Sequence, residues 1–549
     1  MRRLMCLLLL QLVFVSVSAA EREAPKLVVV LIVDGLSQDF VTETPDLLTR
    51  GGIRKFLEEG SWYADARYSH STTFTAVGHA TILTGAPPYK SGIVGNDWFN
   101  REGKVEVYCV EDPDSRLLDE TTSAHTGTSP RNLKVTTVGD ELRLSNGMKS
   151  KVISVSIKDR GAILPGGKTG TAYFYSSSSG RFITSSYYME DYPKWWHMFL
   201  GGRPQDEWIG QNWEPLLEAA AYEATSGTNQ PTSVDYKGLG RVFPYRLKGH
   251  AESDRSAYYS RLTRTPFGVD LTLEFAKAAI QGENLGKNSA QVPDMLCISL
   301  SPQDYVNHNF GPESMEALDA YLRLDRSLAE FFDYLDDWLG LEDVALVLTA
   351  DHGFGNVPEY LEKLGVEAGR IDLDHLISSL NEALEQEFGA EGLVEGFFSP
   401  TFYLDWARID SLGLSREKVE DVAAGFLRKY PGISHVYTRS QLEEGEMLLT
   451  ELTGLVARSW NAEISGDLFV IQQSGWYLLK NTPDLAATHG SPWTYDTTVP
   501  LMFLGQWFKP GKKGNAARVE DLSATLAYLL QVRSPSGCEG RVLLESLVE

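Results

Sequence analysis

Three unbroken apolar runs, each leading into an aspartate, constrain this chain more than any other feature. Lys26–Val33 (KLVVVLIV) ends at Asp34, Met295–Leu300 is followed by Asp304, and Val344–Leu348 leads to Asp351. A strand with one wet face alternates apolar and polar residues. A strand buried on both faces is continuously apolar, as in a parallel sheet covered by helices. Between the last two runs, Ser314–Leu339 places Leu318, Leu322, Leu328, Phe332, Leu335 and Leu339 at roughly helical spacing. Strand, amphipathic helix, strand is a βαβ unit, so the predicted fold class is α/β. In such sheets ligands bind beyond the carboxyl ends of the strands, where all three aspartates fall. One aspartate there is ordinarily a cap or turn residue. Three together point to a shared site.

Histidines accompany these acids. Asp304 and His308 form DYVNH, Asp351 and His352 are adjacent in TADHGFG, and His489 stands in ATHGSPW. With Asp34 they make six oxygen and nitrogen ligands without a thiolate, a set suited to two open catalytic Zn²⁺ sites rather than one closed structural site. His70, His79, His125, His197, His250, His375 and His435 are expected to be ordinary surface or core residues. A phosphate-handling nucleophile belongs where a helix begins, because free N–H groups and the helix dipole favour an anion there. HSTTFTAVGHATILTG offers Ser71, Thr72, Thr73 and Thr75 ahead of a helix-like stretch, and composition does not choose among them.

At 549 residues the chain exceeds one simple core, which predicts a large domain carrying insertions. Two stretches fit the sheet poorly and are expected to be insertions over the site. Residues 161–290 are rich in Tyr, Trp, Ser and Gly, and 357–485 hold a smaller α/β pattern with a helix predicted over Ser415–Lys429. Arg2 and Arg3, the apolar run Leu4–Val17 and the small residues Ser18, Ala19 and Ala20 read as a signal peptide over 1–20. The mature catalytic domain would then span 21–549 and be periplasmic or secreted. No later run is long and apolar enough to predict a membrane span.

The net charge of −24 argues against a nucleic-acid or anionic-lipid partner, though not against a small anion drawn to a concentrated positive site. Once Cys6 leaves with the leader, Cys109, Cys297 and Cys538 are too few and too irregularly spaced for a disulfide framework. A Cys109–Cys538 pair is left open.

The pieces VDGL at Asp34, TAVGHATILTG, GIVGNDW, KDRGAILPGG, DYVNH, TADHG and THGSPW run in order along almost the whole mature chain. Through them the chain resembles the alkaline phosphatase superfamily, and within it the PafA-type periplasmic phosphomonoesterases, relatives of the nucleotide pyrophosphatases/phosphodiesterases. The resemblance implies a mostly parallel central sheet between helices, with cap insertions over the site. It implies a monomeric zinc enzyme acting on small phosphate monoesters through a phosphothreonine. Thr75 matches the nucleophile, and Asn96 the asparagine that binds a non-bridging phosphate oxygen. Asp34, Asp351 and His352, with Thr75, match the ligands of one zinc, and Asp304, His308 and His489 those of the other.

Lys158 and Arg160, which alone would read as a surface turn, match a pair that faces the transferred phosphoryl group. A monoester presents three non-bridging oxygens and two charges, whereas a diester has one of those oxygens blocked. A point charge plus a fork of donors suits the monoester. The alternative is a phosphodiesterase or nucleotide pyrophosphatase with the same metals and nucleophile. A sulfatase would need a modified Cys or Ser in a C/S-x-P-x-R context, which Thr75 lacks.

Overall fold

The three apolar runs become adjacent strands of one sheet. The structure, a computed structural model, describes residues 23–120, 125–223, 232–247, 255–445, 448–479 and 485–548. The leader expected over 1–20 therefore lies outside the described residues. In chain order the main sheet contains β1 (Leu27–Val33), β2 (Ser61–Tyr63), β3 (Val152–Ser156), β4 (Thr171–Ser176), β5 (Arg181–Ile183), β6 (Asp294–Leu300), β7 (Val344–Thr349), β8 (Leu501–Leu504) and β9 (Gly511–Lys513). Their spatial order is β9-β2-β8-β7-β1-β6-β3-β4-β5. The five strands from β7 to β4 are parallel, and β8 and β5 flank them antiparallel.

Every residue of β1, β6 and β7 is buried, which is why these runs carry no polar alternation. Register decides where the acids go. Val33 pairs with Leu300 and Ile32 with Thr349, so the segments that follow all emerge at one edge.

Five helices matter for that edge: α1 (Thr75–Thr84), α2 (Asp159–Gly166), α3 (Phe267–Glu283), α4 (Pro302–Phe310) and α5 (Met315–Leu339). Ser314 caps α5, its hydroxyl accepting the Ala317 N–H at 3.1 Å, and Gly340 ends the helix with φ +88°. All ten residues of α1 are buried. Gly78 lets α1 reach the sheet: a Cβ there would stand 2.0 Å from the Asp351 carbonyl oxygen.

The structure corrects the first predicted insertion. Thr171–Ser176 and Arg181–Ile183, inside the 161–290 stretch, are sheet strands, and α3 packs against the sheet. Tyr173, Trp195 and Phe275 form an aromatic cluster there, with ring centroids 5.3–5.5 Å apart. The serines around Tyr175 hid the strand pattern. Within 357–485, Val394–Phe398, Thr401–Leu404, Leu468–Gln472 and Ile433–Thr438 make a separate antiparallel sheet. Helices Leu373–Phe388 and Arg416–Leu427 share a second apolar core with it. The latter starts one residue after the predicted Ser415, which is its cap.

Cys109, Cys297 and Cys538 are free thiols, so the Cys109–Cys538 pair is not formed. No helix among the described residues is long and apolar enough to cross a membrane.

His70 is fully buried beside Tyr68, and burial, reinforced by the nearby Arg458 charge, lowers its pKa from 6.5 to about 3. The unfolded chain therefore binds one more proton than the folded chain between those values, and stability falls as pH drops below 6.5. Each pH unit in that window costs about 1.4 kcal/mol. Urea melts from pH 6 to pH 4 should show wild type losing roughly that much more per unit than His70→Asn. Equal slopes would contradict the burial of a neutral imidazole.

Candidate active site

The edge reached by β1, β6 and β7 gathers all six predicted Asp and His metal ligands. Asp34, Asp351 and His352 form one triad and Asp304, His308 and His489 a second, with one ligand atom per residue lying within 4.8 Å of the others in its triad. Asp34 follows β1 directly, and Asp351 and His352 follow β7. Asp304 and His308 are one turn apart on α4, so i,i+4 spacing puts both on the same face.

The donor chemistry fits a metal. Nδ1 of His308 lies 2.8 Å from the Ala487 carbonyl, that of His352 2.9 Å from the Gly353 carbonyl, and that of His489 2.7 Å from the Thr73 carbonyl. Donation from Nδ1 leaves each Nε2 lone pair free to ligate. The His308 and His489 Nε2 atoms point at Asp304, 3.3 and 3.5 Å from its Oδ1, and His352 Nε2 lies 3.4 Å from Asp34 Oδ1. Asp34 Oδ1, Asp304 Oδ1, Asp351 Oδ2 and His352 Nε2 are buried without a hydrogen-bond partner. Burial, and then the neighbouring Asp351 charge, push Asp34 above its ordinary pKa. Packed, orphaned carboxylate oxygens of this kind are the signature of a cation site.

Thr75 opens α1, whose N-terminus has no side-chain cap at Phe74. Its hydroxyl accepts a hydrogen bond from Lys158 Nζ at 3.2 Å. The neighbouring hydroxyls are differently employed. Ser71 Oγ donates to Ser459 Oγ at 2.9 Å, Thr73 Oγ1 donates to the Ser491 carbonyl at 2.9 Å, and Thr72 Oγ1 is buried without a partner. Asn96 Oδ1 accepts the Ala76 N–H at 3.0 Å, so its amide NH₂ is turned away from the helix it caps.

Lys158 Nζ lies 2.5 Å from Asp304 Oδ2 and 2.7 Å from Asp34 Oδ2. Although burial opposes its charge, the Asp304 and Asp34 carboxylates hold this ammonium above the usual lysine range. Arg160 is steered from outside: its Nη1 donates to the Tyr108 hydroxyl at 3.3 Å, and that hydroxyl donates to Asp159 Oδ1 at 2.5 Å. The buried Arg160 Nε has no hydrogen-bond partner. Lys158, Arg160 and Tyr305 border a cavity of about 280 Å³.

All ten predicted residues thus belong to the strand-end edge or its rim. His79, expected to be an ordinary core residue, joins them. Its Nδ1 sits 2.8 Å from the Thr75 carbonyl and 3.1 Å from Asp351 Oδ2, and its Nε2 lies 2.8 Å from Ser299 Oγ. The signal was its place one helical turn after Thr75. Tyr108 had no local signal, because its role depends on a contact across 51 residues.

Known proteins resemble this chain over nearly its whole length. The family model for type I phosphodiesterase / nucleotide pyrophosphatase matches residues 28–492. The chain is 35% identical to alkaline phosphatase PhoV of Synechococcus elongatus, over 99% of each protein. It is 33% identical to alkaline phosphatase PafA of Elizabethkingia meningoseptica, over 95% of this chain and 94% of that one. The crystal structure of wild-type PafA superposes with a TM-score of 0.87 at 32% identity, covering 96% of this chain and 100% of that chain. Fold, strand-end triads and near full-length similarity converge: the chain belongs to the alkaline phosphatase superfamily, in its PafA-type branch.

Proposed function

We propose that this protein is a zinc-dependent alkaline phosphatase that hydrolyses phosphate monoesters to alcohol and inorganic phosphate through a phosphothreonine on Thr75. The observation that carries the reading is Thr75 Oγ1 at the head of α1, 3.2 Å from a buried lysine that also touches one carboxylate of each triad. Asp34, Asp351 and His352, with Thr75, would hold one zinc and Asp304, His308 and His489 the other, supplying the Lewis acidity that activates the threonine hydroxyl and neutralises the departing oxygen.

The chain's own groups do the rest. The open start of α1 receives the phosphoryl oxygens, and the Asn96 NH₂, directed by its bond to Ala76, donates to one of them. The Lys158 ammonium and the Arg160 guanidinium meet the charge that spreads over the oxygens as transfer proceeds. The Thr75 oxygen bonds to phosphorus as the ester P–O bond breaks, and the departing oxygen takes up a proton. Water then hydrolyses the phosphothreonine, releasing phosphate and restoring the hydroxyl. His79 holds Asp351 and the first turn of α1 in fixed relation.

The relatives named alkaline phosphatases support the monoester reading. The family model's description favours a second one, a phosphodiesterase or nucleotide pyrophosphatase. The cationic pair Lys158 and Arg160 weighs against it, because a diester's second organic group gains nothing from them. The leader-like pattern of residues 2–20 supports a periplasmic or secreted location.

Dialysis against a strong chelator should abolish turnover of a monoester such as phenyl phosphate, and Zn²⁺ added back should restore it. Metal analysis should then count two ions per chain. Full activity in protein shown to be metal-free would sink the proposal.

A further inference from the structure

A four-carbon side chain ending in a point charge needs walls if it is to meet a phosphate rather than follow the nearest carboxylate. Two walls of Lys158 are Asp34 and Asp304. A third is aromatic: the Lys158 ammonium lies 5.0 Å from the centre of the Tyr305 ring. Tyr305 follows Asp304 on α4 and borders the cavity shared with Lys158 and Arg160. The same ring carries a second cation, with the Arg264 guanidinium carbon 4.3 Å from its centre. Arg264 also rests 3.5 Å from the centre of the Tyr236 ring. Its Nη1 donates to Thr263 Oγ1 at 3.1 Å, while its Nε is buried without a hydrogen-bond partner. A planar guanidinium between two rings is oriented chiefly by those faces. Arg261, three residues earlier, ties the turn bearing Tyr236 to the same segment, its Nη1 donating to the Lys237 carbonyl at 2.9 Å.

We propose that Tyr305 is a positioning residue that fixes the Lys158 ammonium through its ring face, and that Arg264, held on Tyr236, keeps that ring in place. The stack Tyr236–Arg264–Tyr305–Lys158 links Tyr236 and Arg264, outside the strand-end site, to the group that meets the phosphoryl oxygens. The assignment rests on the monoesterase reading above. It makes monoester-over-diester selectivity depend on an aromatic face and on an arginine that touches neither metal ligand nor substrate. The tyrosine hydroxyl has no part in it.

The test is a double-mutant cycle on zinc-loaded, full-length protein, reading kcat/KM for phenyl phosphate and for bis(4-nitrophenyl) phosphate, with zinc content measured for each variant. Tyr305→Leu should lower the monoester value about ten-fold with diester turnover and two-zinc content unchanged. Tyr305→Phe, which keeps the face, should stay within about two-fold of wild type. In a Lys158→Ala background Tyr305→Leu should change nothing further. Should Tyr305→Leu lose zinc because it neighbours Asp304, Arg264→Gln carries the test from outside the metal helix, with an expected three- to five-fold loss confined to the monoester. Equal losses on both esters, an undiminished loss in the Lys158→Ala background, or Tyr305→Phe as damaging as Tyr305→Leu would each overturn the assignment. Lys158→Ala costing monoester turnover while Tyr305→Leu and Arg264→Gln cost none would overturn it alone. A silent Lys158→Ala would overturn the monoesterase reading and this assignment with it.

Discussion

Thr75→Ala should retain less than about one-thousandth of wild-type turnover and form no covalent phosphoprotein. The side chain is small, fully buried and bonded to Lys158, which keeps its Asp304 and Asp34 contacts when the hydroxyl is gone. Alanine is also the better helix former. The variant should therefore fold, and Asp34, Asp351 and His352 should retain the first metal, checked by metal analysis, so that loss of activity reports loss of the nucleophile. Thr75→Ser, which restores a hydroxyl at the same place, should recover measurable rate. Acid-quenched protein exposed to radiolabelled phosphate should carry label on Thr75 in wild type and none in Thr75→Ala. Label on Thr72 would contradict the assignment most directly, since its buried hydroxyl is not engaged by another residue.

The second large effect is one of selectivity. Removing a donor aimed at developing charge in a closed site typically costs 10²–10³ in rate. Lys158→Ala/Arg160→Ala should accordingly lose roughly 10³–10⁴ in kcat/KM on a phosphate monoester, allowing for overlap between the two groups. A diester, with one oxygen already carrying an organic group, should lose no more than about ten-fold. Lys158 is buried between carboxylates, so the double variant needs a control. Its melting temperature in zinc-containing buffer should show that the fold persists before the rates are compared. Equal losses on the two esters would remove the physical reason for preferring a monoesterase.

What could be read from the sequence follows from how local each signal is. β1, β6 and β7 were legible because burial on both faces leaves a continuous apolar run, and their ends placed Asp34, Asp304 and Asp351 without further information. β4 and β5 were not, because YFYSSSSGRF mixes aromatic and serine residues at a sheet edge. β2 and β9 are three residues each, too short to show a period. His308 and His352 could be recognised beside Asp304 and Asp351, and His489 by its place in ATHGSPW. His79 looked ordinary because its partners, Asp351 and Ser299, reach it only through folding. Tyr108 and Tyr305 are legible solely in three dimensions, since each acts on a residue distant along the chain. The choice of Thr75 among four hydroxyls came from family spacing, and the structure adds that Ser71 and Thr73 are already engaged elsewhere.

Gly78 has a consequence for engineering. Because main chain meets main chain where α1 crosses the segment after β7, the separation between Thr75 and Asp351 is set by two backbones in contact rather than by side-chain rotamers. Libraries that vary Phe397 or Phe398, which line a cavity with Phe74 and Asn96, can therefore change which organic group is accepted without resetting the attack distance. A library that varies Gly78 tests the scaffold itself. In a directed-evolution campaign it belongs with the fixed frame, while those two phenylalanines supply the adjustable part.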